Sequence, residues 1–171
     1  VTLDANDQKI NLEKLKLHLN NNRISGKASA SYASLAKFIE NPERASLALN
    51  LPNFQLDLRD AFRFQPDLRF NESILALSRN YVRGSVNATG NLSDLGVPRA
   101  SISWGNTKLD AVASLRNITD TKNLSFDINT FHAITKKQDL VAFVNEEELG
   151  LDLPEDISLV GNAKGNLNNL E

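Results

Sequence analysis

Apolar and polar residues alternate with a period of two along most of the chain. In EKLKLHL (13–19) the alternation sets Leu15, Leu17 and Leu19 against Lys14, Lys16 and His18. The same rhythm returns in SLALNL (46–51), FQLDL (54–58), SISW (101–104), LSFDI (124–128), LGLDL (149–153) and ISLVG (157–161). Successive side chains of a strand point to opposite faces, so alternation between turn-rich stretches predicts half-buried β-strands. Helical spacing is confined to short segments near 34–41, 68–79 and 136–145. SLAKFIENP (34–42) ends at a Pro, NESILALSRN (71–80) carries Ile74, Leu75 and Leu77, and KKQDLVAFVNE (136–146) places Leu140, Phe143 and Val144 on one side. The pattern predicts an all-β, antiparallel protein with a few short helices.

Several of these stretches occur twice. ATGNLSDL (88–95) has a counterpart in AKGNLNNL (163–170), 75 residues on, and LALNLPNF (47–54) in LSFDINTF (124–131), 77 residues on. Ala33-Ser34-Leu35 is matched by Ala113-Ser114-Leu115 at an offset of 80, and an Asp-Leu or Asp-Ala step follows each apolar block. Landmarks in one order at nearly one offset imply two diverged repeats, about 33–95 and 113–170, with 1–22 as the tail of a preceding unit. Such repeats stack, each completing its neighbour's core. In the Gly-Asn-Leu element, Gly is expected to supply positive φ or a bulge where a strand bends, and the Leu residues to anchor the bend.

Composition changes the picture mainly by exclusion. The 171 residues carry 19 Lys plus Arg against 21 Asp plus Glu. That balance lacks the basic footprint of a nucleic-acid binder, so no nucleic-acid partner is expected. No stretch is apolar enough to span a membrane as a helix. No Cys occurs, which excludes disulfides and thiolate chemistry, and with Val first and no Met, residues 1–171 are expected to be a single fragment of a larger repeat protein. Asn accounts for about one residue in eight, and Asn favours turns. Five Asn-x-Ser/Thr sequons begin at Asn71, Asn87, Asn91, Asn117 and Asn123; in so Asn-rich a chain chance accounts for most of them.

Candidate chemistry is sparse. His18 and His132 are the only histidines and stand 114 residues apart, whereas acid–base or metal roles need convergent partners. Glu146-Glu147-Glu148 reads as a solvated turn and Lys136-Lys137 as a solvated loop. Asp57, Asp60 and Asp67 match no calcium loop. GVPRAS (96–101) reads as a turn entering a strand, and Trp104 as a residue of a core or groove lip. No nucleophile elbow, phosphate loop or zinc spacing is present. The chain reads as non-enzymatic, with no catalytic residue, cofactor or metal.

The succession of short alternating strands, the short helix opened by Gln138-Asp139-Leu140, and then LDLPEDISLVGNAKGNLNNL (151–170) resemble the AsmA/TamB family of bacterial envelope proteins, in its TamB-like branch. RGSVNATGNLSDLGV (83–97) reads as an earlier copy of that final segment, and FDINTFHAI (126–134) resembles the strand before the short helix. One departure is GKASASYASL (26–35), which lacks the Gly-Asn-Leu pair. The resemblance implies a long sheet curved into a U-shaped β-taco or half-pipe. It implies a periplasmic location, with the full-length protein anchored in the inner membrane by a part outside this fragment. It also implies phospholipid movement between inner and outer membrane, assistance to outer-membrane protein assembly, or both.

The expected ligand is therefore a phospholipid or another acyl chain, with outer-membrane β-barrel assembly proteins as possible partners. Leu47, Leu49, Leu51, Phe54, Leu56, Leu124, Phe126 and Ile128 form the expected apolar groove, because residues i, i+2 and i+4 share a face. With only 6% aromatic residues, the floor would be aliphatic and suited to hydrocarbon chains. The alternative is an extracellular carbohydrate-binding or adhesin-like β-sandwich, favoured by Asn richness and opposed by the scarcity of aromatic side chains for stacking on sugars.

Overall fold

The structure, a computed structural model, describes residues 2–120, 123–141, 143–144, 146, 150, 152–166 and 169–170. Its strands are β1 (Leu3–Ala5), β2 (Lys9–Leu19), β3 (Asn22–Ser31), β4 (Ser46–Leu56), β5 (Val82–Gly90), β6 (Asp94–Trp104), β7 (Thr107–Arg116), β8 (Ser125–Lys136), β9 (Asp156–Asn166) and β10 (Asn169–Leu170). Each pairs antiparallel with the next, so the spatial order is the chain order and one open, curved sheet results. A sandwich needs a second sheet; all ten described strands belong to one.

Helices occupy the longer connections: α1 (Leu35–Glu40), α2 (Glu72–Leu77) and α3 (Lys137–Leu140), with 3₁₀ turns at Pro42–Arg44, Leu58–Arg63 and Pro66–Phe70. Ser34 caps α1 and Asn71 caps α2, each accepting from a backbone N–H of the first turn. The expected helix over 136–145 is α-helical only for Lys137–Leu140; Phe143 and Val144 lie beyond it, and residues 142 and 145 lie outside the described residues.

No closed core organises this sheet. A compact chain of 18.9 kDa would expose about 8,300 Å², whereas this one exposes 11520 Å². Only seven apolar residues are buried among those described, and none of the large side chains is wholly enclosed. Cohesion comes from the ladders and from contacts between neighbouring strands on one face.

Pairing is interrupted once on each even-numbered long strand, near its middle. Extra residues fall at Glu13-Lys14 on β2, Pro52-Asn53 on β4, Pro98-Arg99 on β6 and Asn129-Thr130 on β8. A bulge bends its strand and raises its twist, so a row of four creases the sheet along its length. Proline has no N–H for a ladder and is tolerated inside strands at bulges. Pro52 and Pro98 thus mark two of the creases. Two sequence readings change here. SLALNL and FQLDL are one bulged strand, which ends at Leu56, and GVPRAS is the interior of β6 rather than its entrance.

The expected strand at LGLDL does not form at its described residues. Gly150 has φ +64°, Asp152 and Leu153 are irregular, and the Leu153 N–H donates to the Glu146 carboxylate at 2.7 Å instead of joining a ladder. Leu149 and Leu151 lie outside the described residues.

The Gly-Asn-Leu elements occupy corresponding places: Gly90 ends β5 ahead of the turn into β6, and Gly165 stands near the end of β9 ahead of β10. The first makes a hairpin turn rather than a bend within a strand. Asn91 Oδ1 accepts from the N–H groups of Ser93 and Asp94, and Gly90 takes φ +138°. Leu167 and Asn168 of the second lie outside the described residues.

The topological period is four strands, β2–β5 and then β6–β9, and so begins earlier than the 33–95 and 113–170 blocks. β4 and β8 are its matched members. Their bulges fall 77 residues apart, as do Phe54 and Phe131. Each Phe stands opposite a glycine of the following strand, Gly84 or Gly161, and a Cβ added there would lie 3.1 or 3.2 Å from the ring. At Gly84 that Cβ would also meet the Ser101 carbonyl oxygen at 2.1 Å. The Ala-Ser-Leu pair is not equivalent: Ala33-Ser34-Leu35 enters α1, and Ala113-Ser114-Leu115 lies inside β7.

A second device recurs at the ends of the strands. Asp57 and Asp60, just past β4, accept hydrogen bonds from the side-chain amides of Asn20, Asn21 and Asn22 in the β2–β3 hairpin, at 2.6–3.3 Å. The Asp57 N–H donates back to Asn22 Oδ1 at 2.8 Å. Asp139, just past β8, accepts from the Asn106 N–H at 2.6 Å in the β6–β7 hairpin. The Asp steps noticed in the sequence therefore clip hairpins.

Arg59, hydrogen-bonded at 2.7 and 2.8 Å, holds the buried Asp57 carboxyl down to about 2, below its ordinary 3.8. A folded-state value below the unfolded one stabilises the fold above the unfolded value and ceases to do so as pH falls through the folded one. Acid is therefore expected to remove roughly 2 kcal/mol between about pH 4 and pH 2. Chemical denaturation across that range should show the loss, and Asp57→Asn should flatten it.

Candidate ligand-binding face

Directly opposed residues of an antiparallel pair project to the same side, so register carries the sidedness of one strand to the next. From Leu47, Leu49 and Leu51 on β4 the register leads to Ala30 and Ala28 on β3 and to Gly90, Ala88 and Val86 on β5. It continues through Leu95 and Ala100 on β6 and Leu115 and Ala111 on β7 to Phe126, Ile128 and Phe131 on β8. On the other side it reaches Ile10, Leu12, Leu15 and Leu17 of β2. Bulges keep this in phase: Leu51 and Phe54 are three apart, yet face Val86 and Gly84, which are two apart.

The outcome is a nearly wholly apolar face spanning the sheet. Every charged residue in the ten strands lies on the opposite face. Eleven are basic (Lys9, Lys14, Lys16, Arg23, Lys27, Arg83, Arg99, Lys108, Arg116, Lys136 and Lys164) and six acidic (Asp4, Glu13, Asp94, Asp110, Asp127 and Asp156). Exposure alternates accordingly. On β4, Leu47, Leu49 and Leu51 are half-buried while Ser46, Ala48 and Asn50 are exposed, and no second sheet causes the difference. A flat single layer would leave both faces equally accessible, so the apolar face is the inner face of the curve.

The expected groove residues fall on this face with one exception. Leu47, Leu49, Leu51 and Leu56 are half-buried on β4, and Phe126 and Ile128 are half-buried on β8. Phe54 is only 8% exposed, lying over Gly84, and forms floor packing rather than open lining. Leu124 precedes β8, so strand alternation does not fix its direction.

Sequence reasoning missed the contributions of β3, β5, β7 and β9. Their inward positions are often Gly or Ala, including Gly26, Ala28 and Ala30, Gly84 and Ala88, Ala111 and Ala113, and Gly161 and Ala163. Those residues give little hydropathy contrast. Bulky inward residues concentrate on β2, β4, β6 and β8, so ridges alternate with furrows about 10 Å apart, two strand spacings. The inner face of a curved sheet has less room than its outer face, and small residues on alternate strands provide for that.

One end of this face is closed by the connections that follow β4 and β8. The Trp104 indole, on the apolar face at the end of β6, donates to the Leu77 carbonyl at 2.8 Å, and its ring meets Phe143 edge-on at 5.3 Å. Thr107 and Thr135 share a hydrogen bond at 2.7 Å nearby. Lys137 joins the second connection to itself, pairing with Glu146 at 2.9 Å and Asp152 at 2.5 Å, and these partners push its ammonium well above the usual lysine range. Lys136 pairs with Asp156 at 2.7 Å. Neither lysine is a free loop cation, and Glu146 is no bare acid; Glu147 and Glu148 lie outside the described residues.

His18 and His132 both lie on the polar face. His132 Nε2 is 3.4 Å from Ser158 Oγ. No group of three or more potential metal ligands converges among the described residues, and no helix among them is long and apolar enough to cross a membrane. Comparison with protein-family models, curated proteins and solved structures returns no match.

Proposed function

We propose that the chain is a conduit module of the cell envelope, in which the apolar inner face holds acyl chains of phospholipid moving between inner and outer membrane. The observation that carries this reading is the continuous apolar inner face that no second layer covers. Apolar surface of that extent must be buried against something or held ready for a ligand. Each buried methylene contributes about 0.8 kcal/mol, so one acyl chain gains on the order of 10 kcal/mol before ordering costs. The AsmA/TamB resemblance supplies the envelope and periplasmic setting. Native mass spectrometry of gently purified protein tests it: co-purified phospholipid supports the reading, and protein free of lipid under those conditions counts against it.

A second reading, assistance to outer-membrane protein assembly, draws on the edges of the sheet. β10 pairs only with Gly165 and Asn166, and β1 only with Ile10, Asn11 and Leu12. The outer sides of β9 over 156–164 and of β2 over 14–19 therefore have no strand partner among the described residues. Unpaired edges recruit other strands. The isolated chain is accordingly expected to self-associate, with a sedimentation coefficient that rises with concentration; a strict monomer at high concentration would rule out competent edges.

A further inference from the structure

We propose that the strand end bearing the β2–β3 hairpin is a docking surface for an anionic lipid bilayer, with Phe64 and Phe70 entering the hydrocarbon boundary and Lys16, Arg23 and Arg83 meeting headgroup phosphates. Two separate observations belong to that strand end, where Asp57 and Asp60 tie the Phe-bearing connection to the hairpin, Arg23 stands in the last pair of β3–β4 and Arg83 one rung from the last pair of β4–β5. The first is apolar. Phe64 and Phe70 are 82% and 85% exposed, the most exposed of the large apolar side chains described. They are presented by an ordered segment rather than a loose one. Phe62 of the same segment is buried, Arg69 stacks 5.8 Å above its ring, and Asp57 and Asp60 fix the segment to the hairpin. Each exposed Phe directly follows an arginine, Arg63 or Arg69.

The second observation is electrostatic. Lys16, Arg23 and Arg83 line one open depression of about 570 Å³, together with the outward-facing His18, Ser25, Asn53 and Gln55 and with Leu17 and Ile24 between them in sequence, and no carboxylate lines it. Arg23, Gln55 and Arg83 stand in one row across β3, β4 and β5. Arg83 is held in place, donating to Gln55 Oε1 at 2.8 Å and lying 5.2 Å over the Tyr81 ring. None of these three cations has an ion-pair partner among the described residues, whereas Lys27, Lys136 and Lys164 on the same face are paired. Asp60 and Asp67 share the Phe-bearing segment, but Asp60 is engaged by Asn22 and Arg63.

A bilayer surface offers hydrocarbon and phosphate side by side, which a single protein pocket for one aromatic residue does not. Phe side chains prefer the headgroup–acyl boundary, and basic residues near an anionic leaflet add to the attraction. The inference goes beyond the conduit reading and holds whether or not the inner face carries a ligand.

Vesicle flotation of the full chain tests it, comparing phosphatidylcholine alone with phosphatidylcholine containing about one-quarter phosphatidylglycerol. The chain should float with the anionic vesicles, less so as salt rises. Both Phe64→Ser/Phe70→Ser and Lys16→Gln/Arg23→Gln/Arg83→Gln should weaken flotation roughly tenfold or more. These side chains are surface groups, and unchanged circular dichroism will show that both variants fold. Equal flotation with both vesicle types, no flotation, or variants that float like the parent would overturn the proposal. So would a Phe variant that alters only sedimentation of the lipid-free chain, which would make the pair a contact between proteins. Binding of a soluble fluorescent fatty acid, measured in parallel, should be unchanged in both variants, so that either reading can fail alone.

Discussion

Ile128→Asp and Phe126→Asp are expected to leave the chain folded while weakening binding of a fluorescent phospholipid analogue by at least about tenfold, the equivalent of one to two buried methylenes. Both side chains lie on the inner face of β8, half-buried, with Ala113 and Ala163 across from Ile128 and Leu115 and Gly165 across from Phe126. In a closed core a carboxylate at either position would be stranded without water and would cost several kcal/mol, comparable to the stability of a whole domain. On an open inner face it reaches solvent, so the loss falls on the ligand. Thermal melting and lipid binding measured on the same samples decide the matter. Unfolding of both variants would mean that something covers the face, and the conduit reading would lose its physical basis.

Trp104→Ala is expected to lower stability by about 3–5 kcal/mol, the usual range for removing a buried aromatic side chain. Trp104 is 8% exposed and touches both long connections, through its hydrogen bond to Leu77 and its edge contact with Phe143. Its removal also strips the Leu77 carbonyl of that donor. Because the connections after β4 and β8 would loosen together, hydrogen exchange should accelerate across 58–81 and 137–144 while the middles of β2–β5 keep their protection. A uniform rise in exchange would show that the indole supports the whole sheet. A loss below about 1 kcal/mol would show that the connections are held by their own ion pairs and hairpin clips.

The sequence by itself determined the side-chain sorting within each strand. Period two is a local property of extended backbone, so Leu15, Leu17 and Leu19 had to share a side, as did Leu47, Leu49 and Leu51. It also paired β4 with β8, whose apolar residues keep one spacing through the bulge. The three short helical segments were legible from apolar spacing and, for the first, from Pro42 as a breaker, although the third is helical only over Lys137–Leu140.

What no strand could reveal alone was how its sides line up with those of its neighbours. That depends on turn lengths and on which residues a bulge leaves unpaired, and a shift of one residue exchanges the two faces. Pro98 looked like a loop until its partners placed it inside a strand. Asp57, Asp60 and Asp139 looked like isolated acids until folding brought each to a hairpin more than thirty residues away. The positive face was hidden for the same reason. A net charge of −2 is an average over the chain, and only the tertiary structure gathers eleven cations onto one side of the sheet, with the apolar residues turned inward on the other.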